Sequence, residues 1–534
     1  EGPNFAYGEY PVGTSKYEKR AISDRIATCD LNKCIQCGKC SMLCPHAVIR
    51  ISAVGRDALP ARLDDSGRAG SASLPTVVPM KTPELGADLQ FSLTISPADC
   101  TGCQICTKVC PVNAMKMIPY DEALKGGQQE AFNAASELPP FPREKLNLNI
   151  PKHIEMCEHL FEFSGACAGC GETPYLKLVT QLFGDRMVVA NATGCSSIYG
   201  ANLPTTPYTT NAAGRGPTWS NSLFEDNAEY GLGMRLALNQ KQNALRALLF
   251  EIEYPDVEKL FMETDINKQR ANESALREFL AKSKHPRMAE ALSLADALVE
   301  KSVWIVGGDG WAYDIGYGGL DHILHSGQNV NILVLDTEGY SNTGGQQSKA
   351  TPFGASMKFA VGGKDQHKKD LGLIAMMTGA YVAQIAMGAD QVQAIKAIRE
   401  AEAFPGPSII LAYSPCIAHG YELSNGPAHQ RMLVDSGAWP LYRFNPMLIE
   451  QGQNPLIIDS GANVVASAGE NPEMEALEKF LGSEGRFGAA KAMNPTRFAR
   501  LVDRALSDNE YRRELKKHIA SFAVLRKTAK SLQG

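Results

Sequence analysis

Eight of the fourteen cysteines in this 534-residue chain fall into two copies of one run. The first is Cys34, Cys37, Cys40 and Cys44, followed by Pro45; the second is Cys100, Cys103, Cys106 and Cys110, followed by Pro111. A cubane iron–sulfur cluster needs four thiolates around a compact core, and two residues between cysteines let a tight turn aim successive sulfurs at it. In paired runs of this kind the fourth cysteine, ahead of proline, serves the other cluster. The spacing therefore predicts one [4Fe-4S] site from Cys34, Cys37, Cys40 and Cys110, and a second from Cys100, Cys103, Cys106 and Cys44. Zinc sites commonly use paired CxxC units, not duplicated four-cysteine runs with trailing prolines. A disulfide framework suits a short secreted chain, whereas this long sequence opens with no secretory pattern.

A net charge of −5, from 53 basic and 58 acidic residues, gives no reason to expect nucleic acid or an anionic membrane as partner. One long uncharged stretch, Leu371–Ala389, reads as a buried helix followed by a strand at Tyr381–Met387, not as a membrane span. Abundant thiols without a secretion signal point to a reducing, anaerobic cytoplasm. The sequence begins at Glu1 instead of Met, as a fragment or a processed subunit would.

Three regions are expected. Residues 1–28 read as a linker from another portion, and residues 29–131 as a small α+β domain around the cysteine runs. Within it, the Gly-, Ser- and Asp-rich stretch Asp64–Ser71 reads as an exposed loop or hairpin. Residues 132–534 alternate apolar strands with helices. The strands are Met187–Ala190, Val303–Val306, Val330–Leu335 and Ser408–Tyr413; the helices include Leu276–Lys282 and Gln391–Glu402. Continuous apolar strands separated by helices predict a parallel α/β sheet.

Two of those strands run into unusual sequence. One ends in Gly307-Gly308-Asp309-Gly310-Trp311, the other in Asp336-Thr337-Glu338-Gly339-Tyr340-Ser341-Asn342. Ligands of open α/β sheets collect beyond the carboxyl ends of the strands. Asp309 puts a carboxylate there, between glycines that let a phosphate approach the backbone. Magnesium takes oxygen ligands and bridges to phosphate, and a Thr337 hydroxyl could complete such a site. Gly-Asp-Gly alone is a common turn. Followed some thirty residues later by an Asn-bearing loop after a second strand, it looks like the thiamine diphosphate motif.

Cys167 and Cys170 form a further CxxC; Cys195 and Cys416 each follow a predicted strand. On a parallel sheet these two and Asp309 would project onto one rim, where four cysteines could hold a third [4Fe-4S] cluster. An isolated buried cysteine is otherwise a small hydrophobe, and Cys29 and Cys157 are read that way.

These segments, with Tyr10–Arg20, Cys167–Tyr175, Gly308–Gly316 and Ser341–Gln346, resemble the C-terminal half of the pyruvate:ferredoxin (flavodoxin) oxidoreductases. The resemblance implies a ferredoxin-like domain with two [4Fe-4S] clusters ahead of a thiamine diphosphate-binding domain with a proximal cluster on Cys167, Cys170, Cys195 and Cys416. It implies Mg2+ on Asp309, the Thr337 hydroxyl and the Gly339 carbonyl. Glu172, Cys195, Gly308, Gly310, Trp311 and the loop Thr337, Glu338, Gly339, Tyr340, Ser341 and Asn342 would line the cofactor, with Asn342 facing the substrate. Many thiamine enzymes carry Asn where Thr337 stands, so the metal shell would be a variant one. The implied reaction is oxidative decarboxylation of pyruvate to acetyl-CoA and CO2, in either direction, with electrons passed to ferredoxin or flavodoxin. Another 2-oxoacid, or a non-catalytic electron-transfer subunit, is the alternative. The implied partners are coenzyme A, further N-terminal domains or a separate subunit that activates the thiamine ring, and further copies in a homo-oligomer. The family's short C-terminal protective extension is not read here, so oxygen sensitivity is expected.

Overall fold

Five apolar segments and a polar edge strand build the centre of the molecule. In the computed structural model, which describes residues 11–55, 76–86, 88–202, 204–460 and 472–521, they form the parallel part of an eight-stranded sheet. The sequence-predicted loop Asp64–Ser71 lies outside the described residues.

The chain first makes five strands of a small unit: β1 (Arg25–Cys29), β2 (Ile49–Gly55), β3 (Val77–Pro79), β4 (Leu89–Ile95) and β5 (Met115–Pro119). β1 pairs antiparallel with β5, and β4 lies antiparallel between β2 and β3. Two very short helices, Lys39–Met42 and Ile105–Val109, follow the CxxC turns. Two elements cross the expected boundaries at 28/29 and 131/132. β1 starts at Arg25, and helix Gln128–Ser136 lays Phe132 on the same core as Phe91 and Ile95. Composition does not shift where these elements begin and end, so the edges were invisible in the sequence. The described part of the expected linker is docked as well. The Gly13 amide donates to the Tyr208 carbonyl at 2.7 Å, and the Thr206 amide donates to Thr14 Oγ1 at 2.8 Å.

The larger domain holds β6 (Met187–Ala192), β7 (Thr218–Ser222), β8 (Ser302–Gly308), β9 (Asn331–Asp336), β10 (Tyr381–Ile385), β11 (Ser408–Tyr413), β12 (Tyr442–Phe444) and β13 (Leu456–Ile458). Their order is β13-β12-β10-β11-β9-β8-β6-β7, parallel from β10 to β7, with β12 and β13 antiparallel at one edge. Alternation sends Val303, Ile305, Ile332 and Val334 into one core and Trp304, Val306, Leu333 and Leu335 into the other. Each fully buried aliphatic side chain contributes about 1.5–3 kcal/mol, so both faces must be covered by helices. The register pairs Gly308 with Leu335 and Asp336 with Tyr413, which brings the ends of β8, β9 and β11 to one rim.

Between β7 and β8 four helices, Asn227–Glu251, Val257–Met262, Ile266–Lys282 and Met288–Leu294, pack around Leu245, Leu249, Leu276 and Leu280. Sequence reading named Leu276–Lys282 as one helix of this unit. The two domains are tied by a buried ion pair: Lys177 Nζ, from helix Thr173–Phe183, meets Glu155 Oε2 at 2.9 Å and donates to the Ser41 carbonyl. Among the described residues no helix is long and apolar enough to cross a membrane.

The long helix Pro495–Ser521 closes the edge of the sheet through Asp370. That carboxylate takes Lys516 Nζ at 2.6 Å and Arg512 at 3.6 Å, and it caps helix Leu371–Met376 through the Leu373 amide. Burial alone would raise its pKa, but Lys516 and Arg512 outweigh burial and hold it below the usual Asp value. A depressed folded-state pKa adds stability that is present above about pH 4 and lost as pH falls through the folded value. Asp370→Asn should therefore cost on the order of 2 kcal/mol at pH 7 and flatten the acid limb below pH 4 in a denaturant series.

Candidate functional site

Each cysteine run turns on two residues in left-handed backbone: Gln36 and Gly38 in the first, Gly102 and Gln104 in the second, with φ between 59° and 77°. The two turns therefore share one shape, although glycine occupies different places in them. One cavity is lined by Cys34, Cys37, Cys40 and Cys110, the other by Cys44, Cys100, Cys103 and Cys106. The structure thus brings the cysteines together in the crossed sets expected from the prolines. Apolar walls surround both, from Ile51, Phe91 and Leu93 in the first and Val48, Ile49 and Met117 in the second.

The donor set fits a cubane. The Gln36 amide donates to Cys34 Sγ at 3.3 Å and the Ala114 amide to Cys110 Sγ at 3.2 Å, contacts that favour thiolates. Burial pushes the free Cys103 thiol up to about 12, so bound iron would be what keeps these sulfurs ionised. Among the described residues no three His, Cys, Asp or Glu side chains gather tightly enough for a lone metal ion; a cubane needs a wider cradle. One expectation changes here. Cys29 is not merely structural: it lines the first cavity, against Cys34. Cys157 is buried in the adjoining core.

The rim of the large sheet carries the second centre. Asp309 is fully buried at the end of β8. Its Oδ1 accepts from the Thr337 amide and the Thr337 hydroxyl, both at 3.1 Å, and its Oδ2 accepts from Ser348 Oγ at 2.5 Å. Burial and the neighbouring Asp336 push the Asp309 carboxyl well above its ordinary value. Lys368 is ion-paired to Asp336 at 2.9 Å, whereas among the described residues Asp309 has no ion pair. A buried, cation-less carboxylate beside a hydroxyl and the Gly339 carbonyl, which Thr337 Oγ1 reaches at 3.1 Å, is an oxygen donor set suited to Mg2+. A Cβ on Gly308 would meet nothing nearer than 3.9 Å, so the backbone there is open to a ligand. Trp311 is buried against Gly307 and Gly316, and the Tyr340 ring covers Gly310.

Glu338 needs correction. Its carboxylate is turned away into a buried network, bound by Arg486 at 2.5 Å and Lys368 at 3.1 Å. Burial alone would raise it, but the two cations outweigh that and hold it down to about 2. Only its backbone remains for a cofactor. Asn342 is exposed on the same loop.

The four remaining cysteines converge beside this centre. Burial raises the pKa of Cys195, and so, in turn, do the nearby Glu172, Cys170, Cys416 and Cys167. The Gly171 amide donates to the Pro415 carbonyl at 2.9 Å, clamping the CxxC loop to the Cys416 loop. Cys416 Sγ lies 3.4 Å from Ser341 Oγ, and Ser341 Oγ lies 2.6 Å from Thr337 Oγ1. Three hydrogen bonds therefore connect Cys416 to Asp309. Glu172 is buried, accepts from the Tyr199 hydroxyl at 2.9 Å and is raised by desolvation to about 7.

Sequence reading missed Ser348, Lys368, Tyr199 and His419, whose Nε2 sits 2.8 Å from the Thr337 carbonyl. None of them lies in a spaced motif. It also missed His46, which lines the second cluster cavity and hydrogen-bonds the Ser164 carbonyl at 3.0 Å, next to the Cys167 loop.

Fold and site together define an iron–sulfur protein with a thiamine diphosphate-binding domain. Residues 33–114 match the 4Fe-4S dicluster domain, and residues 271–412 match the C-terminal TPP-binding domain of thiamine pyrophosphate enzymes. The chain is a relative of the pyruvate-flavodoxin and pyruvate:ferredoxin oxidoreductases. It is 48% identical to the pyruvate-flavodoxin oxidoreductase of Trichormus variabilis, over 97% of this chain and 44% of that protein. It is 44% identical to the pyruvate:ferredoxin oxidoreductase of Moorella thermoacetica, over 96% of this chain and 44% of that protein. It spans less than half the length of the curated relatives it matches. A solved 2-oxoglutarate:ferredoxin oxidoreductase from Magnetococcus marinus matches 48% of this chain and 65% of that one at 16% identity and a TM-score of 0.30, too weak a likeness to carry weight.

Proposed function

We propose that this chain is the cofactor-and-cluster portion of a pyruvate oxidoreductase that passes electrons, one at a time, to ferredoxin or flavodoxin. The observation that carries this reading is the hydrogen-bonded link from Cys416 through Ser341 and Thr337 to Asp309. It sets a cysteine quartet directly beside a candidate diphosphate-and-metal site. Thiamine diphosphate, when bound, supplies the electron sink for decarboxylating a 2-oxo acid, and clusters supply one-electron acceptors.

The residues divide the work. Asp309, Thr337 and the Gly339 carbonyl would hold Mg2+, and Gly308 leaves room for the diphosphate. Cys167, Cys170, Cys195 and Cys416 would hold a third [4Fe-4S] cluster. His46 spans from the Cys167 loop to the Cys44/Cys100/Cys103/Cys106 cavity, so electrons would pass to that cluster before the one on Cys34, Cys37, Cys40 and Cys110. Desolvated Glu172 can hold a proton at neutral pH, and as a carboxylate it accepts a hydrogen bond from the Tyr199 hydroxyl.

The rim also carries exposed apolar side chains. Ile198, just after Cys195, is 54% exposed and Ile417, just after Cys416, is 61% exposed. Such residues around a reaction centre suit a covering partner. We assign that role to the portion of the longer relatives that this chain does not match, which would also supply the group activating the thiamine ring.

The test is an inventory of anaerobically purified chain followed by assay with pyruvate, coenzyme A and a viologen dye. About twelve iron atoms per chain and bound thiamine diphosphate are expected, with turnover only after the complementary portion is added. About eight iron atoms would remove the third cluster. Absence of thiamine diphosphate binding would favour a pure electron-transfer subunit, and robust turnover by this chain alone would remove the need for a partner.

A further inference from the structure

A serine stands between the two centres. Ser341 Oγ lies 3.4 Å from Cys416 Sγ, 2.6 Å from Thr337 Oγ1 and 3.5 Å from the Gly339 carbonyl. In a free thiol, Cys416 can donate its proton to Ser341. A sulfur bound to iron has no proton and can only accept. The Ser341 hydroxyl proton then has three possible acceptors: Cys416 sulfur, Thr337 oxygen and the Gly339 carbonyl. If Thr337 and Gly339 turn their lone pairs to a cation, the sulfur is the acceptor that remains. Thr337, whose hydroxyl proton otherwise goes to Asp309 Oδ1, would then release that carboxylate to the cation and donate to Ser341 Oγ instead. The hydrogen bonds then run in one direction, from Thr337 to Ser341 to the cluster sulfur.

We propose that Ser341 is a positioning residue that donates its hydroxyl to the Cys416 ligand and thereby raises the reduction potential of the proximal cluster. The inference rests on the proposed third cluster. Its physical basis is simple. Reduction adds one electron to the cluster and so increases the negative charge on its sulfurs, while no proton leaves Ser341 and no covalent bond changes. A donor aimed at the sulfur stabilises the reduced form more than the oxidised one. The Ala418 amide reaches the same sulfur at a longer 3.5 Å, so among the described residues Ser341 would be one of two donors to that atom.

The experiment is a dithionite titration of the anaerobic chain, followed by electron paramagnetic resonance. The proximal signal is identified as the one missing in Cys416→Ala. Ser341→Ala should shift that signal alone to a more negative potential, with an about tenfold loss in its reduction equilibrium, or roughly 59 mV for one electron. Ser341→Thr keeps the hydroxyl and should restore the wild-type value. Iron is counted before each titration, so the two ideas fail separately. Wild-type chain with about eight iron atoms would overturn the third cluster and this role with it. A full iron count with an unshifted Ser341→Ala potential, or an equal shift in Ser341→Thr, would overturn only the role of Ser341. Loss of the cluster from Ser341→Ala would likewise overturn it, because the serine would then belong to the framework and not to the tuning.

Discussion

Asp309→Asn is expected to weaken Mg2+-dependent thiamine diphosphate binding by at least about 100-fold, while leaving the cofactor-free protein folded. Losing a partner that merely orients a metal ligand costs 10–100-fold in affinity, and loss of a ligand itself should cost no less. The substitution is nearly isosteric. Asn can still accept from the Thr337 amide with its oxygen, the bond that joins β8 to the turn after β9 at 3.1 Å. What it removes is the negative charge, and that charge is buried without a cationic partner among the described residues. In the absence of cofactor the change should therefore be neutral or slightly stabilising. The measurement is a thermal shift with saturating Mg2+ and thiamine diphosphate. A ligand at 100 times its Kd stabilises wild type by about 2.7 kcal/mol, and a 100-fold weaker site would forfeit most of that. An Asp309→Asn chain that shifts as far as wild type would sink the assignment of this carboxylate to the metal.

The second large effect is on stability. Arg486 is buried between two carboxylates, Glu338 and Glu484, with contacts of 2.5 Å to each. Glu484 also faces His429 at 3.0 Å, and Glu338 shares Lys368 with Asp336. Arg486→Met keeps the length and removes the charge. It leaves two acidic groups with one cation fewer in a region that water cannot reach, a situation that costs about 3–5 kcal/mol. The expected readout is a large drop in the urea midpoint of the thiamine-binding domain. Adding Glu484→Gln to Arg486→Met should recover part of the loss, since one of the stranded charges is gone. A midpoint that does not move would show that the network contributes nothing net. The effect should also reach the site, because Glu338 lies inside the loop that presents Thr337, Gly339 and Ser341.

How far the sequence could be read follows from how each feature is encoded. The cysteine runs were legible because their spacing repeats within contiguous segments, and the cavities group the cysteines in the crossed sets that the trailing prolines suggest. The strands were legible because burial on both faces leaves an unbroken apolar run; Ser408–Tyr413 was bounded to the residue. Gly308–Gly310 and the Thr337–Asn342 loop stood out because glycines flank a lone carboxylate and a polar loop just past two apolar strands. The helices between β7 and β8 were poorly legible because they surround only a small satellite core, and most of their surface is polar.

Ser348, Lys368, His419 and Arg486 could not be found in this way. Arg486 meets Glu338 across 148 residues, and His419 meets Thr337 across 82. No spacing rule links such partners, and each side chain alone is compatible with an ordinary surface or core position. Glu338 follows the same logic: its place in the motif loop suggests a cofactor contact, whereas its carboxylate is held by Lys368 and by Arg486 of helix Gly485–Met493.

The sequence by itself determined the chemistry available: four-sulfur sets, a glycine-flanked carboxylate, and strands that must be buried on both sides. Only the tertiary structure decided which of these groups meet. Parallel pairing carries the ends of β8, β9 and β11 to one rim, and that packing, not any local signal, sets Cys416 within three hydrogen bonds of Asp309.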